Sequence, residues 1–305
     1  MEYMPDWWGG AKIAVLAFPL ILSGTVTLVM LWVFLTHLRE VALDAPNHRS
    51  LHEVAVPRTG GVAVLAGVFV GILIAGVQIS VGVFAAFFSL LSVSLFDDFR
   101  SLSARIRFVV QTLSVSLLFY SLRLELHFWF LWPLLVVTGV WVVNLYNFMD
   151  GMDGFAGGVT CIGFFSLGSV FFIKGAEQLA YFCYLIAASS AIFLYYNWPR
   201  ARIFLGDAGS TTIGLAVFSL SVAGWQQGVL NLAVPLMIFL PFWLDATATL
   251  LVRVVKRERW WEAHRQHFYQ RMAMKFGVRK SLFIELCIMF CTSTITLLLV
   301  VFGLV

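Results

Sequence analysis

Ten apolar runs, each near the length of a bilayer crossing, leave this chain few ways to fold. They lie near residues 11–37, 60–78, 80–96, 106–122, 126–146, 155–173, 178–195, 209–225, 228–252 and 281–304, and a crossing helix needs about 20 apolar residues. A helix satisfies every backbone N–H and C=O within its own segment, which a bilayer core requires. The expected fold is therefore all-α, a polytopic integral membrane protein with about ten transmembrane helices and both termini periplasmic. One transmembrane domain is expected over 1–305, because no soluble domain or repeat interrupts the runs. The breaks around Gln78 to Ser80 and Gly224 to Gly228 are only weakly polar and define the adjoining ends least. Composition agrees: charged residues make up 12%, against about 25% in soluble proteins. Mean hydropathy is +0.91.

The N-terminal MEYMPDWWGG has no basic stretch ahead of the first apolar run, unlike a cleaved signal peptide, so the first span is expected to be retained. Cys161, Cys183, Cys287 and Cys291 all lie inside apolar runs and read as small apolar packers rather than disulfide or zinc residues.

Positive charge orients the bundle. The alternate loops 38–59, 97–107, 196–208 and 253–280 hold seventeen of the twenty Lys and Arg, leaving only Lys12, Arg123 and Lys174 elsewhere. By the positive-inside rule these loops are expected to face the cytoplasm. Loop 147–154 shares that side by parity.

On that side the apolar pattern breaks into NLYNFMDGMDGFAGG over 144–158. Asn144, Asn147, Asp150 and Asp153 recur every three residues, so on a helix that unwinds at Gly151 and Gly154 they stay near one face. Oxygen ligands gathered this way, beside flexible backbone, suit a hard cation such as Mg²⁺. Turn chemistry between two spans also uses Asn, Asp and Gly, but a simple turn needs far fewer of them.

Four other polar stretches share the face. The first loop, DAPNHRSLHEVAVPRTGG, carries Asp44, Arg49, His52 and Arg58 ahead of Gly60 and Gly61. Arg suits bidentate phosphate contacts, and Gly-Gly permits close backbone approach to a ligand, although an ordinary basic loop would obey the inside rule equally well. SLFDDFR puts Asp97 and Asp98 at the membrane surface, where adjacent carboxylates imply a nearby cation or a shared proton. In NWPRARIFLGDAGS, Gly206 and Gly209 frame Asp207 where amides open onto a helix N-terminus, a natural phosphate site. Asn197 and Phe204 of that stretch have the chemistry to hydrogen-bond and stack on a base, while Phe204 reads equally as core. Asp245 lies about 12 Å deep at helical rise, a functional candidate by default or a partner for a neighbouring helix. The last loop carries His264 and His267 with Arg265 and Arg271, a set suited to diphosphate more than to zinc. Trp260 and Trp261 there suit a membrane-interface anchor.

Taken in order, PNHRS…PRTGG, the pair Asp97 and Asp98 with a basic helix start, NFMDGMDG, FLGDAGS, Asp245 and HRQHFYQR resemble the polyprenyl-phosphate N-acetylhexosamine-1-phosphate transferases over residues 44–280. The resemblance implies Mg²⁺, with Mn²⁺ as an alternative, at Asp207 with Asn147 or Asp150 close by. It implies Phe204 against uracil, Asn197 and Asp153 on uridine, and His264, Arg265 and His267 near the diphosphate and sugar. Asp97, Asp98 and Asp150 enter as catalytic candidates, with Asp97 as base, covalent nucleophile or neither. Arg58 and Asn144 enter as substrate-binding residues.

HRQH replaces the three consecutive histidines of the peptidoglycan translocase, and the chain is short. Both features look more like the O-antigen-initiating branch, whose implied partners are undecaprenyl phosphate and UDP-GlcNAc, UDP-QuiNAc or UDP-FucNAc, with the 6-deoxy sugars ranked slightly first. A bacterial inner-membrane location follows from the same resemblance, and a homodimer is compatible with it. Two alternatives remain at this level: the muramyl-pentapeptide reaction of peptidoglycan synthesis, and an ion-coupled transporter, since acids near helix breaks also mark ion pathways. The one-sided distribution of polar residues disfavours the transporter.

Overall fold

The structure, a computed structural model, describes residues 7–46, 51, 54–123, 130–258 and 264–305, with side chains from residue 17 onward. Arg49, His52, Trp260 and Trp261 lie outside the described residues.

Among the described residues the chain is 76% helical, in the order α1 (Trp7–Thr36), β1 (Leu43–Asp44), β2 (Val56–Pro57), α2 (Gly60–Ala75), α3 (Val81–Phe99), α4 (Ala104–Leu122), α5 (Leu131–Phe148), α6 (Phe155–Ile173), α7 (Glu177–Asn197), α8 (Gly206–Gln226), α9 (Ala233–Ile238), α10 (Leu240–Val255), α11 (Phe268–Phe276) and α12 (Val278–Val301). β1 and β2 form a two-residue antiparallel ladder that folds the first loop back on itself, with Leu43 opposite Pro57. Among the described residues, seven helices are long and apolar enough to cross a membrane: Ala17–Thr36 of α1, then α3, α5, α6, α7, α8 and α12. The protein is thus a multi-pass membrane protein. The shorter apolar α2 spans 16 residues, and α4 carries Arg105, Arg107 and Gln111 in its first turns.

The ninth apolar run, expected as one span, is broken at Phe239 into α9 and α10. Pro241 is the cause, because it has no N–H to continue the ladder and its ring crowds the preceding turn. The Trp243 indole N–H donates to the Leu236 carbonyl at 2.8 Å across the break, a polar bond within an apolar segment.

α8 is the hub of the bundle. Of its most apolar eighteen-residue window 89% is buried, against 28% for α3, α5 and α12, and it packs on α2, α3 and α5, touching α4 and α6 as well. Its run of Gly, Ala, Ser and Thr permits that enclosure, since small residues let helix backbones approach closely in a membrane. A Cβ on Gly214 would stand 3.0 Å from Val143 Cα of α5. Across the same contacts Ser94 pairs with Thr211 at 2.8 Å. The consequence is positional: the α8 N-terminus, carrying Asp207, is held rigidly between the ends of α2, α3 and α5.

Candidate active site

Backbone hydrogen bonds lace the first loop to the FLGD segment. Phe204 N–H donates to Pro57 O at 2.8 Å, Gly60 N–H to Phe204 O at 2.9 Å, and Gly61 N–H to Leu205 O at 2.8 Å. A Cβ on Gly61 would lie 2.3 Å from Gly209 Cα and 2.5 Å from Leu205 O. The close approach expected between Gly-Gly and a ligand is therefore made with the protein itself, α2 against α8.

The two adjacent acids of α3 do different jobs. Asp98 is buried, and its Oδ1 and Oδ2 accept the N–H groups of Asp207 and Ala208, both at 2.9 Å. It thereby caps α8, whose leading residues offer no side-chain cap of their own, and a carboxylate is favoured at a helix N-terminus. The Asp98 carbonyl accepts from Arg58 Nη2 at 3.1 Å. Asp97, also buried, takes Leu102 N–H on Oδ1 and Arg107 Nη1 on Oδ2 at 3.3 Å, which fixes the turn between α3 and α4. Neither carboxylate, expected in catalysis, is free. The same Arg107 Nη1 stands 3.6 Å from Asp207 Oδ2, so one guanidinium spans Asp97 and Asp207. Sequence reasoning recorded only a basic helix start here. Ser103 caps α4 and so sets Arg107 one turn inside the helix.

Around NFMDGMDG the even spacing of polar residues separates into different roles. Asn147 Oδ1 accepts from Ser210 Oγ at 2.9 Å, joining α5 to the first turn of α8. Asn144, expected to bind substrate, is instead committed between helices: its Nδ2 donates to Gln111 Oε1 at 2.6 Å and to Val140 O at 2.8 Å, and its Oδ1 accepts from Gln111 Nε2 at 3.2 Å. Asn197, expected on the base, is buried and engaged on both side-chain atoms, accepting Gly154 N–H and donating to Ile203 O, both at 2.9 Å. Asp153 accepts Ala201 N–H at 3.0 Å. Asn197 and Asp153 thus tie the DGMDG turn to the segment that delivers Phe204 and Asp207. Phe204 itself is half-buried.

The last loop meets this turn through a residue that sequence reasoning did not single out. Tyr269 of α11 is fully buried and stacks against Phe155 at 4.7 Å between centroids. A Cβ on Gly151 would fall 2.4 Å from its hydroxyl. Asp245 of α10 accepts Phe268 N–H at 2.7 Å, Tyr269 N–H at 2.9 Å and Thr249 Oγ1 at 3.0 Å, with His267 Nδ1 at 3.6 Å. The intramembrane acid is therefore the N-terminal anchor of α11. His267, expected near the diphosphate, is 2% exposed and serves as the N-cap of α11. It stacks 4.7 Å from His264, which is half-buried, while Arg265 is exposed.

The crevice at the α8 N-terminus is faced by Asp97, Asp207, Asn147, Arg107 and Thr211, with Gln111 below. Burial, then the charges of Asp207, Asp98, Asp44 and Asp153, push Asp150 up to about 8, although it keeps some exposure. A carboxylate so crowded by others is a place where a cation lowers the energy. Among the described residues no three His, Cys, Asp or Glu side chains form a closed metal cage. Mg²⁺ needs only one or two carboxylates, with waters and substrate phosphates completing its shell, and Asp207, Asp150 and the Asn147 oxygen fit that requirement. Burial, followed by the charges of His267 and Arg253, lowers His264 to about 4, so its imidazole is neutral near pH 7.

The family model described as glycosyl transferase family 4 matches residues 80–225, from the start of α3 to the end of α8. The chain is 30% identical over 270 residues to the "Undecaprenyl-phosphate alpha-N-acetylglucosaminyl 1-phosphate transferase" of Yersinia pestis, covering 80% of this chain and 74% of that protein. It is 29% identical over 259 residues to the "Probable undecaprenyl-phosphate N-acetylglucosaminyl 1-phosphate transferase" of Bacillus subtilis (strain 168), covering 78% and 71%. With the matched region spanning the helices that hold Asp98, Asn147, Asp150 and Asp207, the chain belongs to glycosyl transferase family 4, the polyprenyl-phosphate N-acetylhexosamine-1-phosphate transferases.

Proposed function

We propose that this protein transfers an N-acetylhexosamine 1-phosphate from a UDP-sugar to undecaprenyl phosphate and releases UMP, starting a lipid-linked surface polysaccharide. An acceptor phosphate oxygen forms the new bond to the sugar-bearing phosphorus, and the bond from that phosphorus to the UMP oxygen breaks. A phosphate monoester has its second pKa near 6, so a dianionic acceptor attacks without net proton release. No general base is then required. That agrees with an Asp97 whose oxygens are both occupied.

The observation that carries the reading is the meeting of Asp207, Asp150, Asn147 and Arg107 at the buried α8 N-terminus, at one end of a membrane bundle. Mg²⁺, held there by Asp207 and Asp150 with Asn147, would neutralise diphosphate charge as the bond to UMP breaks. Arg107 balances the carboxylates and faces incoming phosphate. Phe204, half-exposed, offers a ring to the uracil. His264, neutral and with Nδ1 taken by the Gln266 N–H, offers its Nε2–H to the sugar rather than a positive charge, and the exposed Arg265 supplies the charge of that loop. The site faces the cytoplasm of a bacterial inner membrane in this reading, which rests on the distribution of Lys and Arg.

Among donors the named relatives favour UDP-GlcNAc, and the 6-deoxy sugars expected from the HRQH loop rank second. The test is UMP release by purified protein given Mg²⁺, undecaprenyl phosphate and UDP-GlcNAc, UDP-QuiNAc or UDP-FucNAc. Release with at least one donor is expected. Solute flux into liposomes with no UMP from any donor would overturn the reading.

A further inference from the structure

On the face that carries the site, α7 ends and α12 begins side by side, and Arg279 joins them by donating from Nε and Nη2 to Pro199 O at 3.4 and 3.2 Å. Arg200, Arg202, Arg279 and Lys280 are all exposed around this junction. Asp153 meets this segment at the Ala201 N–H, at 3.0 Å, rather than at a guanidinium. Among the described residues none of the four cations makes a salt bridge. Arg279 and Lys280 occupy the first turn of α12, where the helix dipole disfavours positive charge, and that helix has no side-chain cap. The arrangement therefore calls for an anion that the protein does not supply.

The aromatic neighbours locate the depth at which it would sit. Tyr195 is 73% exposed and Trp198 44%, both at the end of an apolar span, where amphipathic rings settle at headgroup level. Arg202 lies 4.7 Å over the Tyr196 ring and 5.8 Å over that of Tyr195. The positive-inside tendency accounts for basic residues on this face. It does not account for four exposed cations, without a salt bridge among the described residues, gathered at one helix junction with exposed rings beside it.

We propose that the α7–α12 junction binds the phosphate headgroup of an anionic phospholipid of the surrounding bilayer. Juxtamembrane basic clusters attract such lipids by about fivefold for each basic residue. The bound headgroup would brace residues 198–205 from outside. Asp153 and Asn197 hold the same segment from inside, and it delivers Phe204 and Asp207 to the site.

The test places the protein in nanodiscs with spin-labelled phosphatidylglycerol or phosphatidylcholine and reads the motionally restricted fraction of each. The wild type is expected to select phosphatidylglycerol, and the preference to fall as salt rises. Combining Arg200→Gln, Arg202→Gln and Lys280→Gln leaves the Arg279 bond to Pro199 intact and should remove most of the preference. Thermal unfolding in purely zwitterionic discs checks that this variant is folded. Unchanged selectivity in the folded variant overturns the proposal. So does a raised KM for undecaprenyl phosphate in zwitterionic discs with phosphatidylglycerol selectivity intact, because the cations would then serve the acceptor. Lipid selectivity is read without turnover, so its failure is separable from failure of the proposed reaction.

Discussion

Asp98 holds Asp207 by the backbone: its two carboxylate oxygens take the N–H groups of Asp207 and Ala208 at 2.9 Å each, so the end of α3 sets the position of the α8 N-terminus. The Asp207 side chain takes no part in that cap and lies 3.6 Å from Arg107 Nη1. Asp98→Ala would leave two buried donors without their acceptor and is expected to destabilise the protein by about 1–3 kcal/mol. Asp98→Asn keeps one acceptor oxygen and should recover part of that loss. Thermal unfolding in detergent ranks the two. UMP release should fall in both, more steeply in Asp98→Ala, and equal stability of Ala and wild type would contradict the capping role.

Asp207→Asn tests the metal reading. The substitution leaves the Asp98 cap untouched, because that bond uses the Asp207 main chain. The expected outcome is near-wild-type unfolding temperature with UMP release lost, since the diphosphate charge goes uncompensated. Full Mg²⁺-dependent turnover in the folded variant would remove Asp207 from the metal site.

Asp150 makes the pH dependence specific. Its folded-state value is about 8, against about 3.9 unfolded, so between those values the native state binds more protons than the unfolded state. Stability contributed by this group is complete below about pH 4 and is lost as pH rises toward 8. In excess EDTA the unfolding temperature should therefore fall across this window, and Asp150→Asn should flatten part of the slope. Added Mg²⁺ should also flatten it in the wild type but much less in the variant. An identical slope with and without the carboxylate would show that other groups set it.

The apolar runs announced the bundle because bilayer thickness leaves helix length little freedom, and the polar stretches announced the site because they hold more Asn, Asp and Gly than turns between spans need. Individual roles were harder to read. Asn144 and Asn147 are three residues apart on one helix, yet Asn144 turns to Gln111 on α4 and Asn147 to Ser210 on α8. Asn197 finds Gly154 forty-three positions away. Periodicity places a residue on a face but does not say which neighbour arrives there. Pro241, by contrast, was a visible signal inside the ninth run, and the break follows from its missing N–H.

Asp245→Asn is expected to loosen α11, since the carboxylate accepts two of its leading N–H groups and sits beside His267 Nδ1. Loss of about 1 kcal/mol is typical for a helix cap. If Asp245 acts on turnover through His267, the further loss of UMP release on adding Asp245→Asn to His267→Ala should be much smaller than in the wild type. Equal losses in both backgrounds would mean that Asp245 supports the fold without orienting the histidine.

His264 and His267 should behave differently in a panel of UDP-sugars, because one is half-buried at the surface and the other is 2% exposed beneath it. A neutral His264 accepts the Gln266 N–H on Nδ1 at 3.2 Å, which leaves its Nε2–H as a donor suited to a sugar hydroxyl or acetamido oxygen. A site built to hydrogen-bond a hydroxyl discriminates against a substrate lacking it, whereas a merely apolar pocket tolerates the change. His264→Ala is therefore expected to narrow the rate difference between UDP-GlcNAc and UDP-QuiNAc, which differ at the sixth carbon, or between UDP-QuiNAc and UDP-FucNAc, which differ in one hydroxyl configuration. His267→Ala should lower all rates by a common factor through α11. UDP-MurNAc-pentapeptide completes the panel, and its exclusive use would reassign the chain to the peptidoglycan reaction. A common factor for His264→Ala as well would place that imidazole on the diphosphate, leaving sugar choice to residues of another loop.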